Sequence, residues 1–75
     1  QFKLTLAISQ ILLKDQEDLI HKAVGWMLRE VYKKNPNICM TFLRENYVQL
    51  PRTTLRYAIE RMPEIDRKAY LKGTF

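Results

Sequence analysis

Apolar residues recur at helical spacing along the whole chain, and no segment alternates in the manner of a β-strand. The first segment, residues 4–13, is mostly apolar and leads into an acidic stretch at residues 14–18. Carboxylates in this stretch, Asp15, Glu17 and Asp18, suit a helix N-terminus, where they cap free N–H groups and favour the helix dipole. The pattern therefore predicts a first helix, an acidic turn and a second helix over about residues 17–34.

Prolines and a glycine mark the boundaries of three further predicted helices. Asn35 and Pro36 suit the N-cap and the first position of a third helix, which ends near residue 46. Pro51 opens a fourth helix, and a short fifth helix follows Pro63 and ends near Gly73. The core positions predicted for the third and fourth helices are Ile38, Cys39, Phe42, Leu43, Leu55, Ala58, Ile59 and Met62.

These segments predict an all-α fold. Helices of about 10 to 18 residues with short connections favour consecutive antiparallel pairs, as at the end of an α-solenoid. A compact four- or five-helix bundle is the alternative that the segment lengths also allow. A chain of 75 residues forms at most one small domain, residues 1–75, and it opens at Gln1 inside an apolar pattern. We interpret it as part of a longer protein.

Charge and cysteine content narrow the possible partners. The formal net charge is +5 and the pI is near 9.6, in the range where nucleic acid becomes a reasonable partner. No apolar run approaches the roughly 18 residues that span a bilayer, so we expect no membrane partner. The single cysteine, Cys39, excludes an internal disulfide and a multi-cysteine zinc site. We expect it to be buried, in a cytoplasmic protein.

The stretch HKAVGWMLREVYKK, residues 21–34, contains the only tryptophan. On a helix the apolar residues Ile20, Ala23, Val24, Met27, Leu28 and Val31 share one face, and Lys22, Trp26, Arg29 and Lys33 share a stripe nearly opposite. Cations and an exposed ring are typical of a nucleic-acid surface. The alternative is a tryptophan buried against a neighbouring repeat. Gly25, in mid-helix, predicts close approach of another helix or of a ligand backbone.

Two motifs, LIHKAVGWMLREV followed by KKNP and then PRTTLRYAIERMP, resemble the DNA alkylation repair proteins, the AlkD-like alkylpurine DNA glycosylases. The resemblance covers most of residues 4–72. It implies a superhelix of HEAT-like helix pairs whose concave basic face holds double-stranded DNA. It also implies hydrolysis of the N-glycosidic bond of N3- or N7-alkylated purines without a metal or other cofactor. The chain matches the C-terminal part of that family, which implies packing against upstream repeats of the same protein.

The resemblance assigns roles to the second helix. Trp26 matches a tryptophan on the concave face beside the damaged nucleotide. Lys22 and Arg29 match basic positions that contact the DNA backbone, and Lys33 shares their stripe. The family's catalytic aspartate belongs to a Trp-Asp motif upstream of the matched region, and the sequence contains no such pair. We therefore expect no catalytic residue here and an enzyme only in the longer protein; the alternative is a non-enzymatic solenoid that binds protein or unmodified DNA.

Two further sets of charges have a structural interpretation beside the functional one. Arg52 and Arg56, one turn apart at the start of the fourth helix, are candidate phosphate contacts, but Arg56 and Glu60 are also spaced for a surface ion pair. Glu30 is one turn from Lys34, and we expect these two to pair.

Overall fold

The structure, a computed structural model, describes residues 2–75, and this part of the chain is all-helical. A short 3-10 turn, Tyr47–Gln49, which the sequence pattern did not predict, lies between the third and fourth helices. The helices are α1 (Phe2–Leu12), α2 (Asp18–Lys34), α3 (Pro36–Glu45), α4 (Arg52–Ala58) and α5 (Glu64–Lys72). The predicted all-α class is confirmed, and the arrangement is compatible with a helix bundle or with the end of a solenoid.

The predicted helix-capping and helix-breaking residues are found at three helix boundaries. The Asn35 side chain accepts a hydrogen bond from the backbone N–H of Ile38 at 3.3 Å, and Pro36 occupies the first turn of α3. This is N-cap geometry, in which a side chain satisfies a free N–H group. Gly73 ends α5 with φ at 73°, a left-handed conformation that glycine adopts at little cost. Pro63 stands at the N-cap of α5, as predicted.

Two other boundaries differ from the prediction. The turn before α2 is held by the Asp15 side chain, which accepts the backbone N–H of Glu17 at 2.8 Å, while Glu17 is the N-cap residue without a side-chain cap bond. Helix α4 ends at Ala58 rather than continuing toward Pro63. Ile59 and Met62 are buried nonetheless, because the turn after α4 folds back onto the core.

Helix α2 is the centre of the packing and has its most extensive contact with α4. At one end of this contact the Thr53 hydroxyl lies 3.3 Å from a carboxylate oxygen of Asp18, and at the other end Arg29 bonds Glu60. Residue numbers therefore increase in the same direction along both sides of this interface, which means that α2 and α4 run parallel.

The remaining helices form a second row. Helix α3 contacts α1 through Gln10, which donates to Asn46 at 3.3 Å. It contacts α5 through Arg44, which donates to the Tyr70 hydroxyl at 3.2 Å. The two rows are therefore α1–α3–α5 and α2–α4, and the core lies between them.

The core contains most of the predicted apolar positions. Cys39 is fully buried, as predicted, and its thiol donates to the Leu28 carbonyl at 3.3 Å. Burial raises the pKa of the Cys39 thiol to about 12. Ala23, predicted on the apolar face of α2, is exposed instead. Buried apolar residues are Leu13, Val24, Leu28, Val31, Cys39, Phe42, Leu43, Leu55, Ala58, Ile59, Met62 and Tyr70. Among residues 2–75, no helix combines the length and apolar character required to cross a membrane.

Candidate functional site

Trp26 lies on the outer face of α2, with 53% of its surface exposed. Its helix neighbours Val24 and Leu28, two positions to either side, are fully buried. This alternation follows from the helical period, which turns residues two apart toward opposite sides. The outward orientation predicted from the sequence is therefore confirmed, and the ring presents about half of its surface to solvent.

Arg29 is a cation in direct contact with this ring. Its guanidinium carbon lies 3.9 Å from the centroid of the Trp26 ring, which is cation–π geometry. The same guanidinium forms an ion pair and a hydrogen bond with the Glu60 carboxylate, which follows α4. Only 11% of the Arg29 side chain is exposed. Trp26, Arg29 and Glu60 therefore form a contiguous group that joins α2 to the end of α4.

Lys22 and Lys33 lie on the same outer stripe, and each is paired with a carboxylate on its own helix. The Lys22 ammonium is 3.6 Å from Asp18, and that of Lys33 is 3.3 Å from Glu30. Glu30 therefore pairs with Lys33, three residues further along the helix, and the predicted Glu30–Lys34 pair is wrong. Both lysine side chains are about half exposed, so these pairs contribute at most about 1 kcal/mol and exchange readily for another anion.

Arg52 and Arg56 face away from this stripe, toward α5. Arg52 donates to the Leu71 carbonyl at 2.7 Å, so the start of α4 lies beside the end of α5. Arg56 lines a groove between α4 and α5. The expected Arg56–Glu60 pair is not observed in residues 2–75, because Glu60 bonds Arg29 instead.

Gly25 determines how closely α2 and α4 approach. A Cβ atom built on Gly25 would lie 2.5 Å from the Cβ of Tyr57 and 2.9 Å from the Thr54 carbonyl oxygen. The Thr54 hydroxyl also donates to the His21 carbonyl of α2 at 2.9 Å. The predicted close helix approach is confirmed, and it brings Glu60 within reach of Arg29.

Sequence reasoning missed the participation of Glu60 in this group. Its side chain is 54% exposed and is separated from Arg29 by 31 positions in the chain. A short-range pattern pairs Glu60 with the arginine one turn before it, since i, i+4 partners on one helix are the default expectation. Only the parallel packing of α2 and α4 reveals the longer-range partner.

These observations define an all-helical protein whose central helix carries an exposed aromatic ring among three cations, Lys22, Arg29 and Lys33. The family model described as DNA alkylation repair enzyme matches residues 1–62. The chain belongs to that family, as its two motifs indicated. Membership supports a role in DNA alkylation repair, with DNA as substrate or partner. No curated protein and no solved structure matches the chain.

Proposed function

We propose that the chain is the DNA-binding C-terminal segment of a DNA glycosylase that excises N3- and N7-alkylated purines from duplex DNA. The supporting observation is the half-exposed Trp26 ring, flanked by Lys22, Arg29 and Lys33 on a helix face that the core does not use. Cations on such a face neutralise phosphates, and a flat ring packs against sugar or base. Trp26 then lies beside the damaged nucleotide, while the three cations contact the backbone.

The chemistry of this proposal requires a carboxylate outside these residues. An alkylpurine already carries positive charge and is a good leaving group, so binding and electrostatic stabilisation of an oxocarbenium-like transition state suffice for hydrolysis. The catalytic aspartate of the family belongs to a Trp-Asp motif, and Trp26 is the only tryptophan here and is followed by Met27. We infer that residues 1–75 bind DNA beside the lesion and are not a complete enzyme.

Two features support the end of a HEAT-like solenoid over an isolated bundle. Parallel packing of α2 and α4, with α1, α3 and α5 in a second row, is the arrangement of stacked helix pairs. Leu4, Ile8 and Ile11 are 70%, 40% and 72% exposed and recur at helical spacing on α1, which suits a face covered by upstream repeats. A cytoplasmic location stays a prediction.

The test is binding of a fluorescently labelled duplex, measured by anisotropy at several salt concentrations. Trp26→Ala is expected to raise the Kd about 5- to 150-fold, since stacking on an aromatic ring contributes roughly 1–3 kcal/mol per base. Lys22→Ala is expected to weaken binding and to reduce the log–log salt slope by about 1. Val48→Ala is the matched control, because Val48 is 99% exposed and lies outside the stripe.

Enzymatic activity is tested by release of methylated purine from alkylated duplex DNA. A longer protein that includes these residues is compared with its Trp26→Ala variant and with residues 1–75 alone. The proposal expects release by the longer protein, a loss in the variant and none from the short chain. No release by the folded longer protein would contradict the glycosylase assignment.

A non-enzymatic solenoid that binds protein or unmodified DNA is the second candidate. It is favoured by the pairing of every cation of the stripe with a carboxylate, which reduces the local excess of positive charge. Equal affinity for alkylated and unmodified duplexes, without base release, would support it. Binding of a protein partner through apolar contacts would show little salt dependence, in contrast to phosphate binding.

A further inference from the structure

Arg29 is enclosed by two side chains, one from α2 and one from the turn after α4. The Trp26 ring lies 3.9 Å from its guanidinium carbon, and the Glu60 carboxylate accepts a hydrogen bond from one terminal nitrogen. The Arg29 side chain is 11% exposed, whereas Glu60 is 54% exposed. Arginine is flexible in solution, so these two contacts are what fix the guanidinium over the ring.

The arginine retains donors that this arrangement does not use. A guanidinium carries five N–H donors in a planar fork. Within residues 2–75, the bond to Glu60 is the only hydrogen bond that the Arg29 side chain makes, and its buried Nε has no acceptor. The buried Nε is out of reach of a phosphate, but the terminal nitrogens keep N–H groups that the bond to Glu60 does not use. These are suited to a phosphate, which accepts two parallel N–H bonds.

Glu60 is itself held in place by the fold. It follows Ala58 and Ile59, which are buried, and its backbone N–H donates to the Tyr57 carbonyl at 3.4 Å in the turn after α4. The close contact at Gly25 sets the distance between this turn and α2. The carboxylate therefore has a fixed anchor from which to orient Arg29.

We propose that Glu60 is a positioning residue for DNA binding: it holds the Arg29 guanidinium over the Trp26 ring, so that the guanidinium is already in place when a phosphate arrives. This inference rests on the DNA-binding role proposed above. Pre-ordering raises affinity because the entropy of fixing a long side chain is lost before the partner arrives. The opposing effect is repulsion between the Glu60 carboxylate and DNA phosphates, which water and salt screen at an exposed position.

The two effects predict opposite changes in the affinity for duplex DNA when the Glu60 carboxylate is removed. If Glu60 acts only through its charge, Glu60→Ala binds duplex DNA more tightly than the wild type. If Glu60 positions Arg29, Glu60→Ala binds about 3- to 30-fold more weakly, a range set by the conformational entropy of one arginine side chain. Glu60→Gln keeps an oxygen acceptor and is expected to stay within about 3-fold of the wild type.

Glu30→Gln is the matched control. It removes the carboxylate that lies 3.3 Å from Lys33 on the same surface without touching Arg29. It is expected to bind duplex DNA as tightly as the wild type or more tightly. In an Arg29→Ala background, Glu60→Ala is expected to cause no further loss of affinity, since the group that it positions is gone.

Trp26 fluorescence supplies a readout that does not need DNA, because Trp26 is the only tryptophan. Release of Arg29 from the ring is expected to increase acrylamide quenching in Glu60→Ala and in Arg29→Ala, with a smaller change in Glu60→Gln. Far-UV circular dichroism checks that each variant keeps its helices.

The experiment separates failure of the inference from failure of the proposed function. If the wild type binds no duplex DNA, the proposed function fails and the inference fails with it. If the wild type binds and Glu60→Ala binds equally well or more tightly, the positioning role is overturned while DNA binding stands. Weaker binding by Glu60→Ala, rescued by Glu60→Gln and accompanied by greater quenching of Trp26, supports the positioning role.

Discussion

Replacing Gly25 by alanine tests the closest contact between α2 and α4. The added Cβ would lie 2.5 Å from the Cβ of Tyr57 and 2.9 Å from the carbonyl oxygen of Thr54. Both distances are below 3.0 Å, and real Cβ atoms essentially never have contacts that short. Neither atom belongs to the far end of a flexible side chain, so rotamer changes cannot relieve the clash. The two helices must move apart.

Two effects of opposite sign set the magnitude. Alanine in a helix interior is favoured over glycine by about 1 kcal/mol, which alone would stabilise the Gly25→Ala variant. Overpacking of a well-packed contact costs about 1–3 kcal/mol, and two contacts with immobile atoms favour the upper end of that range. We expect a net loss of about 1–2 kcal/mol in the free energy of unfolding. In a domain of this size, that lowers Tm by about 5–15 °C.

Thermal and urea unfolding, followed by far-UV circular dichroism, measure this loss. Ala23→Gly is the matched control, since Ala23 is exposed two positions away on the same helix. It reports helix propensity without the interhelical contact and is expected to cost about 1 kcal/mol. If Gly25→Ala unfolds at the same Tm as the wild type or above it, propensity outweighs packing and the reasoning about this contact is refuted.

Two further predictions concern stability. Because burial raises the pKa of the Cys39 thiol from 9.0 to about 12, its stabilising contribution is complete below pH 9 and is lost as the pH rises toward 12. Between pH 8 and pH 11, the loss in the free energy of unfolding, measured with urea, is expected to be smaller for Cys39→Ala than for the wild type by about 2–3 kcal/mol. Identical losses would contradict this account. Asn35→Ala removes the side-chain acceptor of the Ile38 N–H at 3.3 Å and is expected to cost about 1 kcal/mol, measured as a lower Tm. Asn37→Ala, at an exposed position in the first turn of α3, is the control and is expected to change Tm little; an equal fall in both variants would refute the capping role.

The features that the sequence predicted well are determined within one or two helical turns. Asn35 caps α3 and Gly73 ends α5 because each satisfies backbone groups within the same turn. The outward orientation of Trp26 follows from the helical period and the apolar neighbours on α2. Such features depend little on how the helices pack, so a pattern along the chain is enough to predict them.

The features that the sequence did not predict depend on contacts between distant segments. Glu60 bonds Arg29 rather than Arg56 because α4 lies parallel to α2 and ends beside it. Arg52 bonds the Leu71 carbonyl because the start of α4 meets the end of α5. Neither contact has a signature in local spacing, since each joins residues that are distant in the chain. Some residues of the candidate site could be predicted from the sequence, but the contacts between those residues could not.

The different exposures of Lys22, Arg29 and Lys33 indicate a division of roles in the proposed DNA complex. Lys22 and Lys33 are about half exposed and hold only neighbouring carboxylates, so replacing those partners by phosphates costs little. Their attraction is long-range and screened by salt. Arg29 is enclosed by Trp26 and Glu60, so its contribution depends on geometry more than on net charge. The lysines would then account for most of the salt dependence, and the Trp26–Arg29–Glu60 group would fix the position of the DNA.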